Sequence, residues 1–194
     1  IPENEAQIVV CENNFHGRTT TIISFSNDPV ARDNFGPFTE GFIKIPYDNA
    51  DALEATLKNN PNIAGFLVEP IQGEAGVYVP SEGYLAKAKA LCEAHNVLFI
   101  ADEVICGFGR TGNMFGSETY DLKPDIITVA KGLSSGYLPI SALMLREEVF
   151  DLLLYQSKKI GIFGHGFTYG GHPVSCAVAL EALKIYEETN LINH

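Results

Sequence analysis

The constraint that bears hardest on this chain is a series of short runs, apolar on both faces, set between segments of helical period. Ile63-Ala-Gly-Phe-Leu-Val68, Val97 to Ala101, Ile126 to Ala130 and Ser141 to Leu145 have strand length, and Ile8-Val9-Val10 adds another. Asn49 caps a short predicted helix with Leu53 and Leu57 one turn apart, stopped by Asn60-Pro61. Tyr84, Leu85, Ala88, Leu91 and Cys92 predict a helix over Ser81 to Ala94. Glu147 to Tyr155 reads as helical. Pro173 suits the first turn of a helix running to about Glu188, with Val174, Ala177, Val178 and Leu183 on one face. Strands without a polar face cannot border water. Their alternation with helices predicts an α/β fold, a mostly parallel sheet with helices on both faces.

In such sheets, ligands bind beyond the carboxyl ends of the strands. Three ionisable residues fall at or just past those ends: Glu69, Asp102 and Lys131. None helps a strand to pack, so each needs another reason for its place. Lys131 follows Thr128-Val129-Ala130 and precedes Gly132-Leu-Ser-Ser-Gly136, where small residues let a bulky group approach the backbone. A lysine desolvated there would be nucleophilic. The plain alternative is a surface lysine at a strand end. Asp102 alone would equally suit a helix cap or a metal site. The five histidines, however, show no metal-ligand spacing. Together, an amine and an acid at one rim are what a pyridoxal phosphate enzyme requires: one holds an aldehyde, the other a protonated ring nitrogen.

Composition removes other classes. The formal net charge of -11 over 194 residues argues against nucleic acid and anionic membranes as partners. No apolar run approaches the roughly 20 residues of a membrane span. The four cysteines are scattered and read as reduced packing residues, which points to a cytoplasmic setting. Gly107-Phe-Gly-Arg-Thr-Gly112 matches the spacing of a dinucleotide fingerprint, but that motif must open a helix. Asn113 to Asp121 has weak helical period, so the glycines are expected to shape a loop by the site. Phe163 to Pro173 is glycine-rich: either a connector or, through Thr168 and free N–H groups, a phosphate site. Phe15-His-Gly-Arg-Thr19 is either a turn or an aromatic and a guanidinium placed for a planar ring and a carboxylate.

Taken together, the strings VEPIQGEAG, LFIADEV, GFGRTG, AKGLSSG and TYGGHP resemble the class III, fold type I, pyridoxal phosphate-dependent aminotransferases, in order and in spacing. NFHGRT, FGPF, IPY and VEPIQGEAG are similar to ornithine aminotransferases. ICGFGRTG and HGFTYGGHP are similar to omega-amino acid:pyruvate transaminases. The resemblance implies that Lys131 forms the internal aldimine with pyridoxal 5'-phosphate, that Asp102 pairs with the ring nitrogen and that Phe15 stacks on the ring. It implies that Glu69 supports the cofactor-facing polar network and that Thr168 reaches the phosphate of a neighbouring subunit, which requires a homodimer. Arg18 matches a residue that holds a substrate carboxylate. Glu74 matches one that pairs with a switching arginine.

The expected activity is transfer of an amino group from ornithine or another ω-amino compound to a 2-oxo acid. The chain departs from the ornithine pattern at Ile105, where a glutamine is usual, and at His16, where a tryptophan is usual. The upstream phosphate loop, the switching arginine and the C-terminal small domain have no counterpart in it. Residues 1-194 are therefore expected to be a fragment of the cofactor-binding large domain. The alternatives are a non-catalytic fragment, an omega-amino acid:pyruvate transaminase, or a fold type I lyase, decarboxylase or racemase.

Overall fold

The computed structural model describes residues 1-194. Six strands form one sheet: β1 (Gln7–Cys11), β2 (Phe42–Ile45), β3 (Ile63–Val68), β4 (Leu98–Asp102), β5 (Ile126–Val129) and β6 (Ala142–Leu145). Their order across the sheet is β2-β1-β3-β4-β5-β6. The first five are parallel, and β6 runs antiparallel to β5 at the edge. The expected α/β architecture is thus present. β2, FIKI, escapes recognition in the sequence because it has only four residues and carries Lys44, a charge suited to an edge strand.

The main core lies where α3 (Ala50–Asn59) and α4 (Tyr84–Ala94) cover one face of the sheet. Leu53 and Leu57 of α3, and Leu85, Ala88 and Cys92 of α4, bury against Val9, Phe66, Val68, Phe99 and Ala101. Asn49 caps α3 as its sequence indicates, its side chain accepting from Ala52 N at 2.9 Å. Helix α4 starts three residues later than predicted. Ser81 does not cap it, because its backbone N–H and hydroxyl both bond Asp48 Oδ1, and Gly83 breaks the run with φ of 82°.

The opposite face is lined by half-buried Leu67, Leu98, Ile100 and Ile126, with Phe25 packed on Phe42 at its β2 edge. A smaller cluster forms past the end of β5 from Val129, Leu133 and Ala179, with Phe108, Ile140 and Leu183 around it. Helix α7 (Pro173–Glu188) buries Ala179 and Ala182, whereas Val174 and Ala177 of the predicted face stay exposed. Helix α6 (Glu147–Ile160) runs past Tyr155 and ends at Gly161, with φ of 90°. It buries no residue, and its strand neighbour β6 is largely exposed. Three short helices, α1 (Thr20–Ser24), α2 (Pro29–Arg32) and α5 (Gly116–Thr119), shape the loops after β1 and β4.

Candidate active site

The parallel strands deliver their loops to one edge of the sheet. Strands β3, β4 and β5 end at Val68, Asp102 and Val129, so Glu69, Asp102 and Lys131 all stand at that carboxyl rim. Strands β4 and β5 are neighbours, with Asp102 paired to Thr128, three residues before Lys131. The loop after β1 brings Phe15, His16 and Arg18 to the same rim.

Asp102 is 6% exposed. Its Oδ1 accepts from Val104 N at 3.0 Å, and its Oδ2 lies 2.6 Å from His16 Nδ1. A carboxylate only accepts, so that nitrogen carries the proton. The other ring nitrogen of His16, Nε2, is buried with no partner. The sequence showed His16 only as a departure from a usual tryptophan. Its pairing with a residue 86 positions away is a product of the fold.

Glu69 is buried too, and both its oxygens are engaged. Oε1 accepts from Phe15 N at 2.9 Å and Oε2 from Gly73 N at 3.2 Å. Burial raises its pKa above the ordinary carboxyl value, and the two N–H bonds oppose that rise. One carboxylate therefore ties the loop carrying Phe15 and Arg18 to the loop carrying Glu74. Glu103, which sequence reasoning passed over, makes a similar tie: it accepts from Gly116 N and Ser117 N at 2.8 and 2.6 Å and anchors the start of α5.

Lys131 is exposed, not desolvated as expected. It opens a tight 3-10 turn, Lys131–Ser134, with φ of 40°. A residue with a Cβ rarely takes that conformation, and such strain gathers at functional sites. Lys131 lines a cavity of about 770 Å³ with Val104, Ile105, Phe108 and Tyr186. The GFGRTG segment also lines it and stays in turns and bends, so it opens no helix and is no dinucleotide fingerprint.

Phe15, Arg18 and Glu74 line a second cavity, of about 360 Å³, with Asn13, Asn14 and Tyr78. The Arg18 guanidinium carbon sits 5.6 Å from the Phe15 ring centre. Loops of the two cavities touch: a Cβ on Gly73 would come within 2.8 Å of Ile105 Cδ1. Thr168 joins neither cavity. It lies in an exposed stretch after α6. In kind, an amine, a buried acceptor carboxylate and an aromatic ring suit the carbonyl, the ring nitrogen and the face of an aromatic aldehyde; Lys131 and Phe15 line separate cavities, and Thr168 stands apart from both. The Cys11, Cys92 and Cys106 thiols are pushed up to about 12 by burial and offer no nucleophile.

The family described as Aminotransferase class-III matches residues 2–194. The ornithine aminotransferase of Plasmodium falciparum (isolate CDC / Honduras) is 49% identical over 185 residues, covering 95% of this chain and 43% of that protein. That of Oceanobacillus iheyensis is 45% identical and covers 100% of this chain and 46% of its own. Among solved structures, the ornithine aminotransferase of Toxoplasma gondii ME49 superposes with a TM-score of 0.92 at 46% identity, covering 100% and 44% of the two chains. The omega transaminase of Pseudomonas jessenii in complex with PMP gives 0.93 at 40% identity, covering 98% and 46%. The chain spans less than half the length of these relatives.

Proposed function

The chain belongs to the class III aminotransferases, and from that premise we propose that the polypeptide carrying it moves an amino group from ornithine or another ω-amino compound to a 2-oxo acid, with pyridoxal 5'-phosphate as cofactor. The observation that carries this reading is the pairing of β4 with β5, which sets Asp102, the last residue of β4, and Lys131, two residues past the end of β5, at one rim. When bound, the cofactor supplies an electron sink for the developing carbanion. Lys131 Nζ would hold the cofactor aldehyde and would move the proton at the substrate carbon, as base and then as acid. Asp102 holds the proton on the ring nitrogen, its own orientation fixed by His16 and Val104 N. Phe15 would supply the aromatic face for the ring.

Arg18 and Glu74 share one cavity, which supports a donor bearing a carboxylate at one end and an amine at the other. Ile105 beside Lys131 favours a second reading, an omega-amino acid:pyruvate transaminase, since it replaces a polar side chain with an apolar one. Thr168 serves the cofactor phosphate across a homodimer. On α6 and the stretch that leads from it to Thr168, Leu152, Tyr155, Ile162, Phe163 and Phe167 are all more than half exposed, apolar side chains suited to a second subunit. No helix is long and apolar enough to cross a membrane, and a cytoplasmic setting accords with the free cysteines.

The test uses the complete polypeptide. Borohydride reduction with pyridoxal phosphate should leave a pyridoxyl group on Lys131, absent in Lys131→Ala. An amine scan should then show transfer from ω-amino donors. Failure to label Lys131 would support the non-catalytic alternative. Transfer confined to α-amino groups would reject the donor class.

A further inference from the structure

Lys131 sits in a left-handed conformation, so its turn persists only if the surroundings hold it there. Within the turn, Ser135 N donates to Gly132 O at 3.1 Å and Gly136 N to Lys131 O at 3.2 Å. From outside, one side chain hydrogen-bonds to it. The hydroxyl of Tyr186, on α7, donates to Gly132 O at 2.9 Å and lies 3.0 Å from Ser135 Oγ. The Tyr186 ring stacks on Phe108, with centres 5.9 Å apart and planes 24° from parallel. Phe108 in turn presses on the turn itself: a Cβ on Gly132 would fall 2.7 Å from Phe108 Cβ. Tyr186 and Lys131 also line the same cavity.

We propose that Tyr186 is a positioning residue for Lys131, its hydroxyl fixing the strained turn from which the amine works. This rests on the aminotransferase reading above. A tyrosine kept only for packing would need its ring alone. Here the hydroxyl meets two polar groups of the one turn whose geometry the chemistry depends on. The carbonyl of Gly132 would otherwise have no partner from α7, and the amine's anchor would gain freedom. Small displacements of a reacting group are costly because they spoil its attack geometry.

Tyr186→Phe removes the hydroxyl and leaves the ring stacked on Phe108. In the complete polypeptide loaded with pyridoxal phosphate, amide exchange at Ser135 and Gly136 should rise about tenfold, the effect of losing roughly one net hydrogen bond. Amides of β3 should be unchanged. The pH midpoint at which the visible absorbance of the lysine-bound cofactor titrates should shift. The kcat should fall several-fold with the amine KM unaltered, and Tyr186→Leu should do no better. If wild-type Lys131 carries a borohydride-trapped pyridoxyl group, yet either the exchange or the midpoint is the same in Tyr186→Phe, this inference is overturned alone. If wild-type Lys131 carries no such group, the aminotransferase reading falls and the inference with it.

Discussion

His16 and Asp102 meet through a 2.6 Å contact between Nδ1 and Oδ2, with side chains only 3% and 8% exposed. The pair binds the loop after β1 to the end of β4. It leaves the Asp102 carboxylate held from both sides, by an imidazole and by the backbone of Val104. Replacing His16 by Leu strands a buried oxygen without a donor, which should lower unfolding free energy by about 1–3 kcal/mol. His16→Asn, whose amide can donate, should recover part of the loss. Urea denaturation of the three proteins reads this directly, and equal stability of wild type and His16→Leu would contradict the pairing.

Glu69 needs two acceptor oxygens for its two N–H partners, and a glutamine has one. Glu69→Gln should therefore free either Phe15 or Gly73. Through Phe15, the affinity for pyridoxal phosphate should drop about tenfold, or about 1.4 kcal/mol. Combined with Phe15→Ala, the effects should fall short of their sum if Glu69 acts through that ring. Additive losses in a fluorescence titration would show that it acts by another route.

Glu103 is fully buried, and its pKa is raised above the ordinary 4.5 by burial, with its two backbone N–H bonds opposing. The folded protein then takes up a proton at higher pH than the unfolded chain. Its stabilising share is complete below the unfolded value and is lost as pH climbs through the folded one. Glu103→Gln abolishes that dependence. The stability gap between wild type and Glu103→Gln should thus widen as pH falls from neutral towards 4.5. A gap that stays constant or narrows in paired urea titrations would refute the sign.

At Lys131 the backbone and the side chain can be separated. Both Lys131→Ala and Lys131→Gly lose the amine and any cofactor attachment. Only glycine accepts a φ of 40° without cost. Lys131→Gly should be more stable than Lys131→Ala by about 1 kcal/mol, against the usual order for these residues. Thermal melts yielding the ordinary order would remove the case for stored strain.

Cys11, Cys92 and Cys106, each protonated to about pH 12 by burial, should resist thiol reagents in the native state and react once the chain unfolds. Fast labelling of any of them at neutral pH would place it outside the core described above.

The sequence is legible where burial is symmetrical. IAGFLV becomes β3 with its predicted bounds, because six consecutive apolar residues have no polar side to turn outward. Pro173 and Glu188 likewise bound α7 as read. Asymmetry hides the rest. β2 is short and charged, and only the Val178 and Leu183 part of the face read for α7 packs inward, because Ala179 and Ala182, the residues that bury most, carry little hydrophobic signal. At the site, Asp102, Glu69 and Lys131 could be located from strand ends. What holds them could not. His16, Tyr186 and the N–H groups of Phe15 and Gly73 reach their partners across 86, 54, 54 and 4 positions, and most such distances leave no local pattern.

The register of β4 against β5 has one more implication. Asp102 sits opposite Thr128, and Lys131 follows after a fixed count of residues. Side chains alternate between the two sides of a sheet, so deleting or inserting one residue between Ile126 and Lys131 would slip β5 against β4 or displace the turn that opens at Lys131. The stretch after α6, with no ladder to keep count, carries no such restriction. Among descendants of this gene, tolerance of indels should collapse over that six-residue window while point changes at its first five positions, short of Lys131, remain survivable. Chain length at that one place works as an inherited ruler.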